Sequence, residues 1–584
     1  MTDGITRRDL VAAGGALGLA TAARGANRAN PAGLDLLVAT DGLTIPSTGR
    51  AEMAFSYDWP EPSVAFAGFR FAFEVIGYDN RYALDPATAT LTATPDRVRL
   101  TAHGLTWAGG QEKIPGTIAA ELVRLPDGAV EWTMRAALDR PIKALKTIVR
   151  GLPRGRVSPA ARAWIEPGED DQRFEYPALN GGMATPLVAI EAADGRVWTI
   201  ASRQREVRPA RFQLRPGPAG YKAELVAETP GWTRPTSAAT QPWRIAAAPD
   251  FASAARDHFA HVADAWSLPS FRTRPDAPDW MKHLALVLTL HGQHWSGRIL
   301  NDYDRQRAIL RWAAERIDPA TVMIFLAGWD GRYYWDYPAF APDPRMGGAA
   351  GFARLIAEGR RLGYRFALMF GSNVANPTSP LFPPLAEAQL RDPYGQNFPA
   401  NYVDWDGDAK GDSGMVFMNL AAPAWRTHLA GRIADMLGRH PIDAYFLDIA
   451  GLWENNDRGD MFEGTRALVA DLARRLPGRP PIAEMQYDAQ MGVMPMSQVA
   501  RYPLYPQANF DHVASFDHLS HGAPGRGATG VHEAGFNRYR PVTADQRPIP
   551  TITFADRTFD DDLAAVQRDI ATAKARFAAR GNWT

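Results

Sequence analysis

Beyond Trp280 the chain settles into a rhythm that few folds can accommodate: a short apolar run, an amphipathic segment, then another apolar run. The runs are Leu284–Leu290, Val322–Leu326, Phe366–Phe370, Ala444–Leu447 and Pro481–Glu484, with further candidates at His512–Phe516 and Pro550–Phe554. Helical spacing of apolar residues marks Tyr303–Arg316, Ala349–Leu362, Ala424–Leu437, Phe462–Leu476 and Asp560–Ala578. Strands that alternate with helices predict a parallel sheet, covered on both faces. Residues 281–584 suit a (β/α)8 TIM-type barrel, which takes about 250 residues plus insertions. An open doubly wound sheet is the rival, and no Gly-x-Gly-x-x-Gly turn after the first run supports it. Between Gln490 and Pro548 the strands are not legible.

Residues 35–266 read differently. Short runs of alternating polarity, such as Leu91–His103, Gly128–Leu138 and Gly195–Ser202, are broken by Gly, Pro, Asp and Asn. That pattern predicts an N-terminal two-sheet β-sandwich, so the chain as a whole reads as multidomain. Ala252–Trp266 has helical spacing, and the Pro-rich Leu268–Trp280 marks the boundary before the barrel. At the N-terminus Arg7-Arg8 precedes an Ala/Gly-rich apolar run, Val11–Ala23, with small residues at Ala20-Thr21-Ala22. This order of charge, apolar run and cleavage site predicts a twin-arginine signal peptide over residues 1–26 and a periplasmic or secreted protein. The alternative is an Ala-rich tail with a chance Arg pair. The run is too short to span a bilayer, and no other segment reads as transmembrane.

Lys+Arg and Asp+Glu each number 64, so there is no basic surplus to hold nucleic acid or an anionic membrane. The chain has 0 Cys, which excludes disulfides, thiolate nucleophiles and Cys-ligated metals. It has 17 Trp, 17 Tyr and 26 Phe, rings that fill cores and also stack on sugar faces. A carbohydrate partner fits this balance. No cofactor is implied, and nothing in the sequence specifies an oligomeric state.

In such a barrel, polar residues just past each strand converge on the mouth. Asp448 directly ends Ala444–Leu447, where facing an apolar interior carries a large desolvation cost. It must face the mouth or pair with a cation; the alternative is a cap on the next helix. Glu484 ends the following run, with pairing to Arg474 or Arg475 as its alternative. Two carboxylates flanking one bond are what glycoside hydrolysis needs, one attacking the anomeric carbon or activating water and the other protonating the leaving oxygen. Asp448 and Glu484 are therefore the expected catalytic pair; the alternatives are a non-catalytic carbohydrate-binding protein on the same barrel and a metal-dependent hydrolase using His291, His518 or His521. His291, Trp329, Asp330, Asn373, Asn419, Trp453, Gln486, Asp517 and His518 are the expected substrate contacts around the pair.

The stretch Ala327–Phe340 packs six aromatics beside two Asp residues, and as a cluster reads as a sugar platform with Asp330 on a hydroxyl; the alternative for each ring is packing folded under the rim. Asp404, Asp406 and Asp408 have the start of a calcium-loop spacing, but Met415 stands where the closing Glu belongs, so a solvated acidic loop is the better reading. His512, His518 and His521 lack a metal-motif context and are read as substrate contacts, with no metal assigned.

Met418–Leu420, then Pro423-Ala424-Trp425-Arg426, a helix, and Asp443–Asp448 resemble a pattern of barrel glycoside hydrolases. The overall plan is similar to the α-glycosidase superfamily around α-amylases and endo-α-N-acetylgalactosaminidases. It is most like the glycosidase-like branch that carries an N-terminal mutarotase-type β-sandwich. The resemblance spans Leu284–Asp488. It implies that the strand-four acid, Asp448, is the nucleophile of a retaining reaction, and that the strand-five acid, Glu484, is the acid/base.

Overall fold

The computed structural model describes residues 36–38, 62–107, 110–177, 183–217, 220–293, 299–331, 337–398, 401–403, 413–499, 507–517, 542, 547–554, 558–561 and 563–580. The twin-arginine segment, the acidic loop at 404–408, His518 and His521 lie outside the described residues.

The N-terminal part forms antiparallel sheets, as the alternation of short runs requires. In Val130–Leu138 every second residue is buried: Val130, Trp132, Met134, Ala136 and Leu138. A period of two sends these side chains to one face. A ten-stranded sheet has Phe69–Gly77, Ile142–Leu152 and Gly220–Glu228 near its centre, and a nine-stranded sheet has Val130–Leu138 and Trp243–Ala248. Rings from the two meet edge to face, Phe71 with Trp132 and Phe212 with Trp243, both at 5.2 Å between centroids. Burying each such ring stabilises the fold by about 1.5–3 kcal/mol.

The C-terminal part is a parallel eight-stranded sheet. In chain order its strands are β1 (Leu286–His291), β2 (Val322–Ala327), β3 (Arg365–Gly371), β4 (Ala444–Asp448), β5 (Pro481–Glu484), β6 (Met496–Val499), β7 (Ala514–Asp517) and β8 (Thr551–Phe554). Each of β1 to β6 pairs with the next, and β1 pairs with β8. The seam between β7 and β8 carries one parallel bridge, Phe516 to Ile549, so the barrel is nearly closed. The rings of Phe325, Phe446 and Phe516 meet in its interior at 4.5, 5.8 and 6.5 Å. Helices Tyr303–Ala314, Gly348–Leu362, Pro423–Arg439 and Met461–Arg475 cover β1 to β5, and the first and last are capped by Asp302 and Asp460. No helix among the described residues is long and apolar enough to cross a membrane.

Strand β6 fell in the stretch that the sequence left unread. Besides β6, only short 3-10 turns, Asp488–Gly492 and Gln507–Asp511, are described between β5 and β7. Here the helix Phe251–Ala265 and the Pro-rich connector pack against the barrel. Val262 meets Met491 and Val513, with Phe259, Trp266 and Leu268 against them. Arg274 is fully buried, donating to the carbonyls of Met491 at 2.9 Å and His512 at 2.8 Å while Asp276 holds its other edge.

Candidate active site

Alternation along the strands fixes which residues face the barrel's axis at its C-terminal rim. Phe446 points inward, so Asp448, two residues on, does too. Phe516 points inward and is in register with Gln498, which is in register with Glu484. Thr289 is in register with the inward Phe325, which places His291 inside on β1. Gly371 is in register with Asp448 and contributes no side chain there; a Cβ would fall 1.9 Å from Tyr337 Cε2. The rim therefore gathers His291, Asp448, Glu484 and Gln498, all at most 5 % exposed. Asp517 ends β7, but it follows the inward Phe516 and so falls on the opposite face of its strand, away from the expected substrate contacts.

The Glu484 carboxylate is held against the backbone that follows Asp448. Glu484 Oε2 accepts a hydrogen bond of 2.6 Å from the peptide N–H of Ile449, the residue after Asp448. The carbonyl of Glu484 accepts from Gly451 N–H at 2.9 Å. The alternative partners are excluded by what they do instead: Arg474 and Arg475 both bind Asp471, and the helix after β4 is capped by Asp460. Both peptides that follow the acids are left-handed, Ile449 at φ 60° and Met485 at φ 51°. A β-branched residue rarely adopts this conformation, and each instance costs about 1–3 kcal/mol. The turn lets each strand end at its carboxylate.

Strand β3 supplies the clamp. Ser372 donates to the Asp448 carbonyl through N–H at 3.0 Å and through Oγ at 2.5 Å, and Asn373 Nδ2 donates to the Ile449 carbonyl at 3.0 Å. Trp425, fully buried, donates its indole N–H to the Ser372 carbonyl at 2.7 Å. The Pro-Ala-Trp-Arg segment is thus a support for the β3 end.

Several expected substrate contacts sit elsewhere. Trp329 is fully buried between Phe352 and Phe370, with its indole N–H on the Met369 carbonyl at 2.7 Å, behind the barrel wall. Tyr337 and Phe340 are also fully buried, so these described rings of the 327–340 cluster fold under the rim and offer no platform. Asn419 has both ends engaged: Oδ1 accepts from Ala421 N–H at 2.8 Å and Nδ2 donates to Asn456 at 2.9 Å. Trp453 is 2 % exposed, donates to Asp460 at 3.2 Å and packs on Trp232, in the core shared with the N-terminal sheets. His512 is tied to the connector by Nδ1 and the Pro269 carbonyl at 3.0 Å. Asp330 is fully buried past β2. Gln486 is 1 % exposed, with Nε2 on the Met494 carbonyl at 2.9 Å. Asn373 is committed to the clamp through its amide nitrogen. Gln498 was not foreseen, because a Gln inside Met-Ser-Gln-Val gives no apolar run to end.

The loop after β5 is anchored to the N-terminal sheets by a buried polar cluster. Asp488 accepts from Tyr176 Oη at 2.5 Å, Thr185 Oγ1 at 3.1 Å and Ala489 N–H at 2.8 Å, and its own N–H donates to the Ala184 carbonyl at 2.8 Å. Thr185 Oγ1 also lies 2.7 Å from His258 Nε2. Burial pushes the Asp488 carboxyl up to about 7, against the lowering by those hydrogen bonds. Burial holds His258 well below the usual imidazole range. Gln490 Nε2 continues the link to the Ala450 carbonyl at 2.6 Å, beside the β4 acid.

No family model and no curated protein matches the sequence. Solved structures do match in fold. An α-N-acetylgalactosaminidase from Bifidobacterium bifidum, NagBb, in complex with GalNAc superposes with a TM-score of 0.62 at 12% identity, covering 89% of this chain and 91% of that one. Its complex with Gal-NHAc-DNJ gives 0.63 at 13%, covering 88% and 92%. A GH36 α-galactosidase from Geobacillus stearothermophilus, AgaA, in complex with raffinose gives 0.51 at 13%, covering 93% and 80%. Over nearly its whole length the chain shares its fold with barrel enzymes of these names.

Proposed function

We propose that the protein is a glycoside hydrolase with Asp448 as nucleophile and Glu484 as acid/base. The observation that carries this reading is the 2.6 Å bond from Ile449 N–H to Glu484 Oε2, which keeps the acids of β4 and β5 one peptide apart at the barrel mouth. Two carboxyls so placed can work on opposite sides of one glycosidic bond. In the retaining sequence an Asp448 oxygen attacks the anomeric carbon while Glu484 gives its proton to the leaving oxygen. Glu484 then takes a proton from water, whose oxygen attacks the anomeric carbon and releases Asp448. His291 and Gln498 flank the bound sugar. The names of the fold neighbours make α-linked galactose and N-acetylgalactosamine the first substrates to try. The division into an N-terminal β-sandwich over 35–266 and a catalytic barrel over 281–584, with a leader over 1–26 directing export, belongs to the same reading.

The test uses p-nitrophenyl α-glycosides of galactose and N-acetylgalactosamine, with the released anomer followed by NMR. Asp448→Asn and Glu484→Gln each lower turnover by about a thousandfold or more while the variants keep the wild-type near-ultraviolet spectrum. Wild-type turnover in either variant removes that residue from the mechanism. Release of the opposite anomer replaces the nucleophile with a base.

A further inference from the structure

The outer face of the ten-stranded sheet holds a polar trough that the barrel chemistry does not use. Phe73 and Val75 point into the core, so Glu74 between them points away from it. On that face Lys146 Nζ lies 3.1 Å from Glu74 Oε2 and 2.5 Å from Glu224 Oε2, and Lys222 Nζ lies 3.1 Å from Glu224 Oε1. Lys146, Glu74, Glu224 and Lys222 are each at most 5 % exposed, yet they stand on an outward face. Buried charge of this density carries a desolvation cost that a plain solvent-facing sheet has no reason to bear.

Above this floor opens a cavity of about 480 Å³, within the size of small-ligand sites. Its walls carry rings and paired charges. Tyr78 and Tyr394 meet edge to face at 5.2 Å on its wall. Arg211 lies 3.5 Å from Glu175 and 2.6 Å from Glu228. Tyr394 is 48 % exposed and comes from the excursion between β3 and β4, so the trough is complete only with the barrel docked. Its position is fixed: Lys143 Nζ lies 3.1 Å from Tyr394 Oη and 4.9 Å from the ring, Asp392 accepts from Tyr394 N–H at 2.8 Å, and Arg234 binds the Pro393 carbonyl.

We propose that this trough is a second carbohydrate site, which binds a neutral oligosaccharide segment away from the barrel mouth. Each sugar hydroxyl both donates and accepts, and carboxylates beside ammonium and guanidinium groups offer both partners side by side. Tyr78 and Tyr394 offer apolar faces to sugar C–H groups. Arg81, Lys146 and Arg211 of the lining are already paired with carboxylates and Lys143 is engaged by Tyr394, which suits a neutral polyol better than an anion. The site stands independently of the hydrolytic reading.

The test is saturation-transfer NMR followed by calorimetry on the full chain. The probes are neutral gluco-, galacto-, manno- and N-acetylated oligosaccharides of two to six units, with hexuronate oligomers as the anionic arm. At least one neutral oligosaccharide binds wild-type protein and Asp448→Asn equally, and loses about tenfold or more in affinity in Tyr394→Ala and in Tyr78→Ala. Hydrolysis of a small aryl glycoside stays at wild-type rate in Tyr394→Ala, and the half-exposed position of that ring keeps the variant folded. Binding that is unchanged in both ring variants, binding lost in Asp448→Asn, or a response confined to hexuronates overturns the proposal.

Discussion

Ile449 holds its left-handed peptide because everything around it is already committed. Its N–H is on Glu484, its carbonyl on Asn373, and the preceding carbonyl on Ser372. Two residues on, a Cβ on Gly451 would fall 2.0 Å from the Met485 carbonyl oxygen, so the chains after β4 and β5 approach as only glycine permits. Gly451→Ala is expected to destabilise the protein by about 1–3 kcal/mol, through the displacement a forced methyl requires. The same displacement breaks the Gly451 to Glu484 bond, so kcat falls at least about tenfold at temperatures where the variant is folded. Urea unfolding and kcat together check it; a variant with normal stability and normal kcat shows that the approach restrains nothing. Residue-scale legibility was uneven for a physical reason. Asp448 and Glu484 were readable because a charge that ends an apolar run has few affordable places to go. Trp329, Asn419 and Trp453 also follow strands, but an indole N–H or an amide can be satisfied by a nearby carbonyl or cap, and chain position does not separate the two uses.

At the scale of the element, the loop after β5 couples the candidate acid to the N-terminal sheets, and its anchor titrates. Asp488 is raised to about 7 by burial, whereas an unfolded aspartate titrates near 3.9. Between these values the unfolded chain has released a proton that the folded protein keeps, so this group's contribution to stability is full below about pH 4, declines as pH rises, and levels off above about pH 7. The span corresponds to roughly 4 kcal/mol at most. Asp488→Asn keeps the Tyr176 bond and cannot ionise. Its stability relative to wild type therefore climbs by a few kcal/mol from pH 4 to pH 8. Burial also raises Glu454 to about 7 and lowers His258, with opposite slopes, but both are common to the two proteins and cancel in the difference. Paired urea melts across that range decide the matter, and a pH-independent difference refutes the assignment. Element boundaries were legible where burial on both faces forces an apolar run: Pro481–Glu484 has the same limits in sequence and structure. Strand β6 was hidden because its interior position is filled by Gln498 at the rim, not by an aliphatic side chain.

For the whole molecule the question is whether the two halves fold apart. Leu452, Trp453, Met461, Phe462, Tyr487 and Ala489 belong to the barrel part by sequence, yet they join the hydrophobic core of the N-terminal sheets, each at most 8 % exposed. Trp266 meets Phe462 at 5.9 Å, and Tyr176 meets Tyr487 at 6.3 Å. The connector packs against the stretch between β5 and β7, where 3-10 turns and β6 but no helix are described. At about 1.5–3 kcal/mol per large apolar side chain, stripping away the N-terminal part removes on the order of 10 kcal/mol from the barrel, as much as a domain's entire stability. Residues 281–584 produced alone are therefore expected to lack the near-ultraviolet signal of packed aromatics, and the full chain to melt in one calorimetric transition with matching van't Hoff and calorimetric enthalpies. Two resolved transitions, or an isolated barrel with native-like spectra, would mean that the shared core contributes contact without cooperativity, and that the loop after β5 holds Glu484 in place unaided.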